Sequence, residues 1–226
     1  FMSTPFDEEA ADFLVNLGMK RIKIPSGEIT NHPFLRYLAA KDRPLILSTG
    51  MATLQEIIEA TAVISSERKI LGFEAPLESM LTILHCTSNY PAAPDDVNLR
   101  AMGTIASELG VPVGYSDHTL GLAVSTAAVA RGAGVIEKHF TLDSNLPGPD
   151  HKASLTPDEL AALVSQIRAV ERALGSAEKR PTDAELPVRE LVRRSVTTAR
   201  DLPVGVAVFA DDLCLLPGAL RHAGER

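Results

Sequence analysis

Two histidines stand where a metal-assisted reaction would need them. His118 lies in a Ser-Asp-His sequence and His139 in a Glu-Lys-His sequence, and each follows a short apolar run. If the two runs are neighbouring strands, the strand ends lie about 5 Å apart. Two imidazoles, with water and a nearby carboxylate (Asp117 or Glu137), would suit Mn²⁺, Fe²⁺ or Zn²⁺. Two hydrogen-bonded histidines beside a pocket would give the same pattern, so the spacing leaves both interpretations open.

A second group of side chains suits a small anion. One lysine and three hydroxyls lie at or near the ends of predicted strands, at Lys23, Ser26, Ser48 and Ser116. Such a set can hold a phosphate or a carboxylate without a nucleotide-binding loop. A solvated lysine and ordinary turn serines are the alternative. Glu28, close after Ser26, would accept hydrogen bonds from a sugar or position a proton, unless it is merely solvated.

Two loops carry further polar groups. Tyr90, in an Asn-Tyr-Pro sequence at the end of a predicted strand, is suited to cover a sugar face or to pack under its own loop. Asp150 lies in the proline-bracketed turn 147–152. A rigid turn of this kind can close over a ligand, and it is equally typical of a hydrophilic surface loop.

Regular alternation of strands and helices must position these groups. Apolar runs predict strands at 21–25, 44–48, 81–87, 113–116 and 134–140. Helical periodicity predicts helices at 33–40, 54–66, 99–109, 120–131 and 156–174. Five successive βα units indicate a parallel sheet, and ligands bind beyond the carboxyl ends of parallel strands. The polar segments that follow the strands should therefore converge on one site.

Periodicity does not separate an open sheet from part of a barrel, because five strands fit both. The sequence contains neither G-x-G-x-x-G nor G-x-x-x-x-G-K-[ST]. The common dinucleotide-binding and nucleotide-binding forms of the open sheet therefore lack support, which favours a barrel.

Composition narrows the class of protein. The chain has 226 residues, 45% of them apolar, which is enough for one substantial core and the beginning of a second module. A formal charge of −7 with scattered cations argues against nucleic acid. There is neither an apolar run of about 20 residues nor a leader-like start, so we expect a cytoplasmic protein without a membrane partner. Cys86 and Cys214 are expected to be free thiols.

The composition changes after Gly175. Residues 176–193 are charged and punctuated by proline, which predicts a linker with a short helix. From residue 194 onward, short runs such as 195–198 and 206–209 predict small β structure rather than another βα unit.

Seven motifs, taken together, resemble the N-acetylneuraminate (sialic acid) synthase family, which includes legionaminic acid synthases. Each motif is ordinary alone, but their order and spacing over about residues 3–160 are specific. They are Ser3-Thr-Pro-Phe-Asp7, Lys23-Ile-Pro-Ser-Gly-Glu28, Leu47-Ser-Thr-Gly-Met51, His85-Cys-Thr-Ser-Asn-Tyr-Pro91, Gly114-Tyr-Ser-Asp-His-Thr119, Glu137-Lys-His-Phe-Thr141 and Gly148-Pro-Asp-His-Lys-Ala-Ser154.

The resemblance implies an α/β TIM (β/α)8 barrel and a transferase of the EC 2.5.1 class. Such an enzyme joins phosphoenolpyruvate to an N-acetylated hexosamine, forms a nine-carbon 2-keto sugar acid and releases phosphate. The sugar would be N-acetylmannosamine or a 2,4-diacetamido relative, which the sequence does not separate.

The same resemblance implies a role for each candidate residue. His118 and His139 would hold Mn²⁺ or Mg²⁺, which polarises the sugar aldehyde, and with Glu28 they would form the catalytic set. Phosphoenolpyruvate would be bound by Thr4, Lys23, Ser26, Ser48 and Ser116. The amino sugar would face Glu28, Tyr90 and Asp150.

Domain boundaries also follow from the resemblance. The chain would enter the barrel at the end of strand 3, so residues 1–175 would carry strands 4 to 8, and the native protein is expected to have further residues upstream. Residues 194–226 resemble the opening of an antifreeze-like (SAF) domain, which this family uses for a domain-swapped homodimer. Arg221 is not a safe substitute for the basic residue that this domain places before Pro-Gly. Two other hypotheses stay open: a metal-dependent aldolase with Lys23 as a Schiff-base lysine, and an inactive truncated paralogue.

Overall fold

A computed structural model describes residues 1–217 of the chain. The chain divides into two compact units, the first formed by residues 1–175 and the second beginning at Ser176. The first unit alternates strands with helices along the chain. Its elements are α1 (Glu8–Asn16), β1 (Ile22–Ile24), α2 (His32–Ala39), β2 (Leu45–Ser48), α3 (Leu54–Ile70), α4 (Leu77–Met80), β3 (Leu81–Cys86), α5 (Ala101–Leu109), β4 (Val113–Asp117), α6 (Ala123–Ala130), β5 (Ile136–Lys138) and α7 (Pro157–Leu174).

The five strands form one parallel sheet in the order β1-β2-β3-β4-β5. Each predicted strand is present at its predicted place, which confirms the α/β class and the parallel sheet. Neighbouring strands are joined by helical crossovers, as parallel pairing requires. The result is a curled half-barrel of the TIM-barrel type.

The two faces of the sheet have different tasks. Alternate strand residues such as Ile22, Ile24, Leu45 and Leu47 are buried in the core cluster shared with the helices. The residues between them point to the opposite, concave face, as the twofold period of a strand demands. Polar side chains on the concave face are therefore kept out of the helix-side core.

The curl of the sheet is strong enough to bring its two edges together. Lys23 lies in β1 and Glu137 in β5, with three strands between them in the sheet. Nevertheless, Lys23 Nζ lies 3.3 Å from Glu137 Oε2 across the concave face. Gly114 in β4 allows close packing on this side, because a Cβ there would lie 2.5 Å from Leu84 Cδ2 and from the Val135 carbonyl oxygen.

Local sequence signals place the helix ends. Thr53 and Glu56 form the predicted capping box of α3, with the Thr53 N–H donating to Glu56 Oε2 at 2.7 Å. These bonds from Thr53 hold the pKa of Glu56 below its usual value. Gly110 ends α5 in the left-handed conformation, with φ of 64°, as predicted for a helix terminus. Pro157 occupies the first turn of α7.

Several elements differ from the prediction. Helices α1 and α4 were not predicted, and α1 buries only Ala11 fully. Its start is marked by Asp7, whose carboxylate accepts from the Ala10 N–H at 2.6 Å. Strand β5 is shorter than the predicted run, and α6 begins at Ala123 rather than at residue 120.

The second unit contains a helix and an antiparallel strand pair. Helix α8 spans Leu186–Val192, and β6 (Arg194–Thr198) pairs with β7 (Leu213–Pro217). The side chain of Arg200 binds the buried carboxylate of Asp212, with Nε 2.9 Å from Oδ1. Assignment of this unit to an antifreeze-like domain stays a prediction, and Arg221 lies outside the described residues.

The expectation about the cysteines has a clear outcome. Cys86 and Cys214 are both free thiols in the described chain, as predicted. Among the helices within residues 1–217, none combines the length and the apolar character that crossing a bilayer would require.

The capping box of α3 gives a test of the local fold. Replacement of Thr53 by Ala removes the acceptor for the Glu56 N–H at the N-terminus of the helix. We expect the free energy of unfolding, measured by urea denaturation, to fall by about 1 kcal/mol. Ser66→Ala removes an exposed hydroxyl from the interior of the same helix and serves as the control. Equal effects of both variants would contradict the role of the cap.

Candidate active site

A cavity of about 630 Å³ opens at the carboxyl ends of the strands, on the concave face. This is the place at which barrels of this type bind their ligands. Its lining consists of Thr4, Phe6, Lys23, Pro25, Ser26, Gly27, Ser48, Met51, Cys86, Ser88, Tyr90, Ser116, His118, Glu137 and His139.

Eight of the ten side chains predicted for the site line this cavity. They are Thr4, Lys23, Ser26, Ser48, Tyr90, Ser116, His118 and His139. The other two lie outside this lining. Glu28 belongs to a 3₁₀ turn, and its carboxylate accepts a hydrogen bond from the Asn31 side chain at 2.7 Å. Asp150 lies in an exposed loop, with Oδ2 3.9 Å from His139 Nδ1.

A polar network crosses the floor of the cavity. Lys23 is buried, and Glu137 lies opposite it. Ser116 Oγ donates to Glu137 Oε1 at 2.7 Å. The network therefore joins side chains from three strands: the cation of β1, the hydroxyl of β4 and the carboxylate of β5. Thr4 reaches the same region because Ser3 pairs in parallel with Ile22, directly before Lys23.

The Ser48 hydroxyl is a buried polar group on the cavity wall. Ser48 is 3% exposed, ends β2 and lines the cavity. Among the described residues, its Oγ has no hydrogen-bond partner. Buried hydroxyls are normally satisfied, so an orphan on a cavity wall indicates a place for a ligand or a water.

The next loop approaches Ser26 very closely. The Gly50 N–H donates to Ser26 Oγ at 2.8 Å. A side chain at Gly50 would collide with Ser88, since an added Cβ would lie 2.1 Å from Ser88 Oγ. The following residue, Met51, adopts a positive φ of 68°, which is uncommon for a residue other than glycine. Glycine at position 50 therefore permits this tight turn above β2.

His118 is held in one orientation. Its Nδ1 lies 2.8 Å from the carbonyl oxygen of Thr87, which can only accept, so Nδ1 carries the proton. Nε2 consequently presents a lone pair. Burial lowers the pKa of His118, and repulsion from His139 adds to this effect, which favours the neutral ring that a metal ligand needs.

Tyr90 and His139 complete an aromatic cluster around His118. The Tyr90 ring centroid lies 4.1 Å from that of His118 and 5.5 Å from that of His139. The two imidazole centroids are 5.3 Å apart and nearly perpendicular. Burial raises the pKa of Tyr90, so its hydroxyl stays protonated and able to donate. One aromatic face and two imidazoles thus share one wall of the cavity.

The two histidines fit a metal site, although they do not complete one. Within residues 1–217, no group of three or more histidine, cysteine, aspartate or glutamate side chains is arranged to hold an ion. Asp117, considered above as a carboxylate ligand, is fully buried and is already bound to Thr119, Ser125 and Lys138. Two imidazoles leave most coordination positions to water and to substrate oxygens, as in open catalytic sites.

Two residues of the cavity were missed or undervalued at the level of sequence. Glu137 was considered only as a neighbour of a metal, whereas it lies against Lys23 and Ser116. Cys86 was taken simply as a thiol, but its Sγ is 3.8 Å from His118 Nδ1, and burial raises its pKa. The alternation of side chains along a strand could have indicated that Cys86 faces the cavity. Cys86 pairs with Ser116 in the register of β3 and β4, so both side chains lie on the same face of the sheet.

The curled parallel sheet, with histidines, a buried lysine and hydroxyls at the carboxyl ends of its strands, defines a protein of the (β/α)-barrel class. The profile of the NeuB family matches residues 1–179. The chain belongs to the NeuB family, as the seven motifs predicted.

Individual relatives agree with this assignment. N,N'-diacetyllegionaminic acid synthase of Legionella pneumophila is 58% identical over 96% of this chain and 60% of its own length. The Campylobacter jejuni protein of the same name is 48% identical over 91% of this chain and 59% of its own. The chain thus spans about three fifths of the length of the curated relatives it matches. The crystal structure of N-acetylneuraminic acid (sialic acid) synthetase from Leptospira borgpetersenii superposes with a TM-score of 0.74 at 36% identity, over 83% of this chain and 62% of that one.

The pair formed by Lys23 and Glu137 generates a prediction about anion affinity. In Glu137→Gln, the amide still accepts from Ser116, but the negative charge beside Lys23 is lost. We expect the Kd for inorganic phosphate, measured by calorimetry, to fall roughly fivefold, the equivalent of about 1 kcal/mol for a partly solvated pair. Glu28→Gln, whose carboxylate contacts Asn31 rather than Lys23, is the matched control. Weaker phosphate binding by the Glu137 variant would show that the carboxylate supports the anion site instead of competing with it.

Proposed function

We propose that the protein containing this chain condenses phosphoenolpyruvate with an N-acetylated amino sugar, consuming one water, forming a nine-carbon 2-keto sugar acid and releasing phosphate. The observation that carries the proposal is one cavity in which a buried lysine with hydroxyls and a pair of histidines lie side by side. The first group suits an anionic substrate, and the second suits an aldehyde held near a divalent ion. Membership of the NeuB family supports the same reaction.

The anion half of the cavity would bind phosphoenolpyruvate. Lys23 offers a buried ammonium group, which interacts strongly with phosphate or carboxylate. Hydroxyls surround it on neighbouring strand ends, and the orphan Oγ of Ser48 is free to donate to a ligand oxygen. Thr4, Ser26 and Ser116 complete this set. Fixed donors from several strands would hold the enol with its C3 carbon directed to the second substrate.

The histidine half would bind the sugar and the metal. His118 and His139 would hold Mn²⁺ or Mg²⁺ through their imidazole nitrogens. When bound, such an ion polarises an aldehyde oxygen as a Lewis acid. The Tyr90 ring, packed against His118, offers an apolar face to the sugar and a hydroxyl to one of its oxygens. Asp150, in its exposed loop beside His139, would approach the sugar from outside the cavity, and Glu28 from the turn after Ser26.

Of the two candidate sugars, we favour the 2,4-diacetamido one. The proteins that are 58% and 48% identical to this chain both carry the name N,N'-diacetyllegionaminic acid synthase. A diacetamido substrate would give a product of that type. N-acetylmannosamine is the alternative, and direct competition between the two sugars would decide between them.

The aldolase hypothesis has less support. A Schiff-base lysine is activated by an apolar pocket or by a second cation. Lys23 instead lies 3.3 Å from a carboxylate, an arrangement typical of a cation that binds anions. An aldolase would also consume pyruvate and release no phosphate, so the assay for the synthase separates the two.

Phosphate release tests the proposed function. The complete natural protein is mixed with phosphoenolpyruvate and Mn²⁺, with and without each sugar, and free phosphate is measured. We expect release only with a sugar, and a rate at least a hundredfold lower in His118→Ala, since a lost electrostatic contact of this kind costs about 10²–10³ in rate. Pyruvate-dependent turnover without phosphate would favour the aldolase, and no turnover with either sugar would favour an inactive paralogue.

Ser48 gives a second test, in which stability and binding move differently. Because its hydroxyl has no partner among the described residues, Ser48→Ala should leave the free energy of unfolding unchanged or slightly higher. Phosphoenolpyruvate should bind roughly tenfold or more weakly, because a hydrogen bond to a charged group contributes about 1.5–3 kcal/mol. Ser116→Ala is the matched contrast, since it removes a bond that exists in the fold and should lower stability. A destabilised Ser48 variant with unchanged binding would contradict the assignment.

A further inference from the structure

A buried ion pair lies directly behind the histidines, on the helix side of the sheet. Lys138 Nζ is 2.9 Å from Asp117 Oδ2, and both side chains are almost completely removed from solvent. Asp117 in β4 and Lys138 in β5 are direct partners in the register of the sheet. The proposed reaction uses neither side chain, and neither of them lines the cavity. Desolvation makes buried ion pairs weak contributors to stability. Stability alone therefore does not explain a charge pair in this position.

The pair fixes the backbone on both sides of His118. Asp117 Oδ1 accepts from the Thr119 N–H and from Thr119 Oγ1, both at 2.8 Å, which closes a tight turn with His118 as its central residue. Lys138 Nζ donates to the Thr119 carbonyl oxygen at 2.5 Å. Ser125 Oγ donates to the other carboxylate oxygen at 2.5 Å. All three polar groups of Thr119 are therefore bound by this one pair.

The same pair also links the two strand ends that carry the imidazoles. His118 follows Asp117 directly, and His139 follows Lys138 directly. Because successive strand side chains alternate in direction, anchoring Asp117 and Lys138 on the helix side directs both histidines to the cavity side. Their ring centroids are 5.3 Å apart, and the Nδ1 of His118 is held by Thr87.

We propose that Asp117 and Lys138 are positioning residues, which set the separation and the orientation of His118 and His139. The inference rests on the proposed function in one respect, that these histidines ligate the divalent ion. Residues that orient metal ligands from outside the coordination sphere typically change metal affinity by about 10- to 100-fold. Because the bonds of the pair to Thr119 lie beyond His118, the metal half of the cavity depends on the pair more than the anion half around Lys23 does.

The test compares two double variants of the complete protein. Asp117→Leu with Lys138→Met removes every bond to Thr119 without leaving a single buried charge. Asp117→Asn with Lys138→Met keeps an acceptor for the Thr119 N–H and serves as the conservative rescue. Arg68→Met breaks another ion pair, between the buried Arg68 and the half-exposed Asp42, outside the lining of the cavity. It controls for a general loss of stability.

Metal and anion affinities are measured separately. Free Mn²⁺ is followed by electron paramagnetic resonance, and phosphoenolpyruvate binding by calorimetry. The Leu/Met variant is expected to raise the Kd for Mn²⁺ by about 10- to 100-fold, with a several-fold smaller change in the Kd for phosphoenolpyruvate. The Asn/Met variant should recover most of the Mn²⁺ affinity, and Arg68→Met should match the wild type. Unchanged Mn²⁺ affinity in the Leu/Met variant would overturn the proposal, as would an equal loss in Arg68→Met.

A metal-free readout separates this inference from the proposed function. If the wild type and His118→Ala bind Mn²⁺ equally, the ligand assignment fails, and positioning is then judged from the imidazole ¹⁵N shifts of the metal-free protein. In the wild type, His118 should show a single tautomer with the proton on Nδ1. The Leu/Met variant should show a mixture of tautomers, and the Asn/Met variant should restore the single form. An unchanged His118 spectrum in the Leu/Met variant would refute the positioning role without any metal.

Discussion

Side chains from the first and last strands of the parallel sheet meet across its concave face. The contact between Lys23 and Glu137 exists only because each strand is rotated against its neighbour until the sheet curls on itself. Glycine at position 114 allows the strands to pack closely on the concave side. The alternation of strand residues leaves the apolar side chains to the core that the sheet shares with the helices. Strand ends that would be far apart in a flat sheet therefore surround one cavity, and the candidate site depends on that curl.

Much of the fold could be predicted because it is encoded over short stretches of chain. The apolar runs of β1 to β5 and the capping box at Thr53 depend on neighbours within a few residues. Helix α1 was missed although its apolar residues keep a helical period and Asp7 caps its start, so this miss did not come from a lack of local signal. The predicted bounds of β5 were too wide for a different reason. Only Ile136–Lys138 pair along β4, and pairing is a property of two strands rather than of one.

The site was predictable as a set of residues but not as a set of contacts. His118, Ser48 and Lys23 were predicted as candidates because they lie at or near the ends of apolar runs, and strand ends converge in any parallel sheet. The position of Glu137 opposite Lys23 required the degree of curl, which no local pattern contains. Asp117 shows the limit most clearly. It adjoins His118 in the chain, yet strand parity turns its carboxylate to the other side of the sheet.

The unsatisfied hydroxyl of Ser48 has a consequence for discrimination among ligands. A molecule of the right shape that lacks an acceptor at this point would seal the hydroxyl away from water with no partner. Sites with such groups reject near-isosteric analogues far more strongly than purely apolar pockets do. We therefore expect the cavity to select molecules by the position of a hydrogen-bond acceptor as well as by their volume.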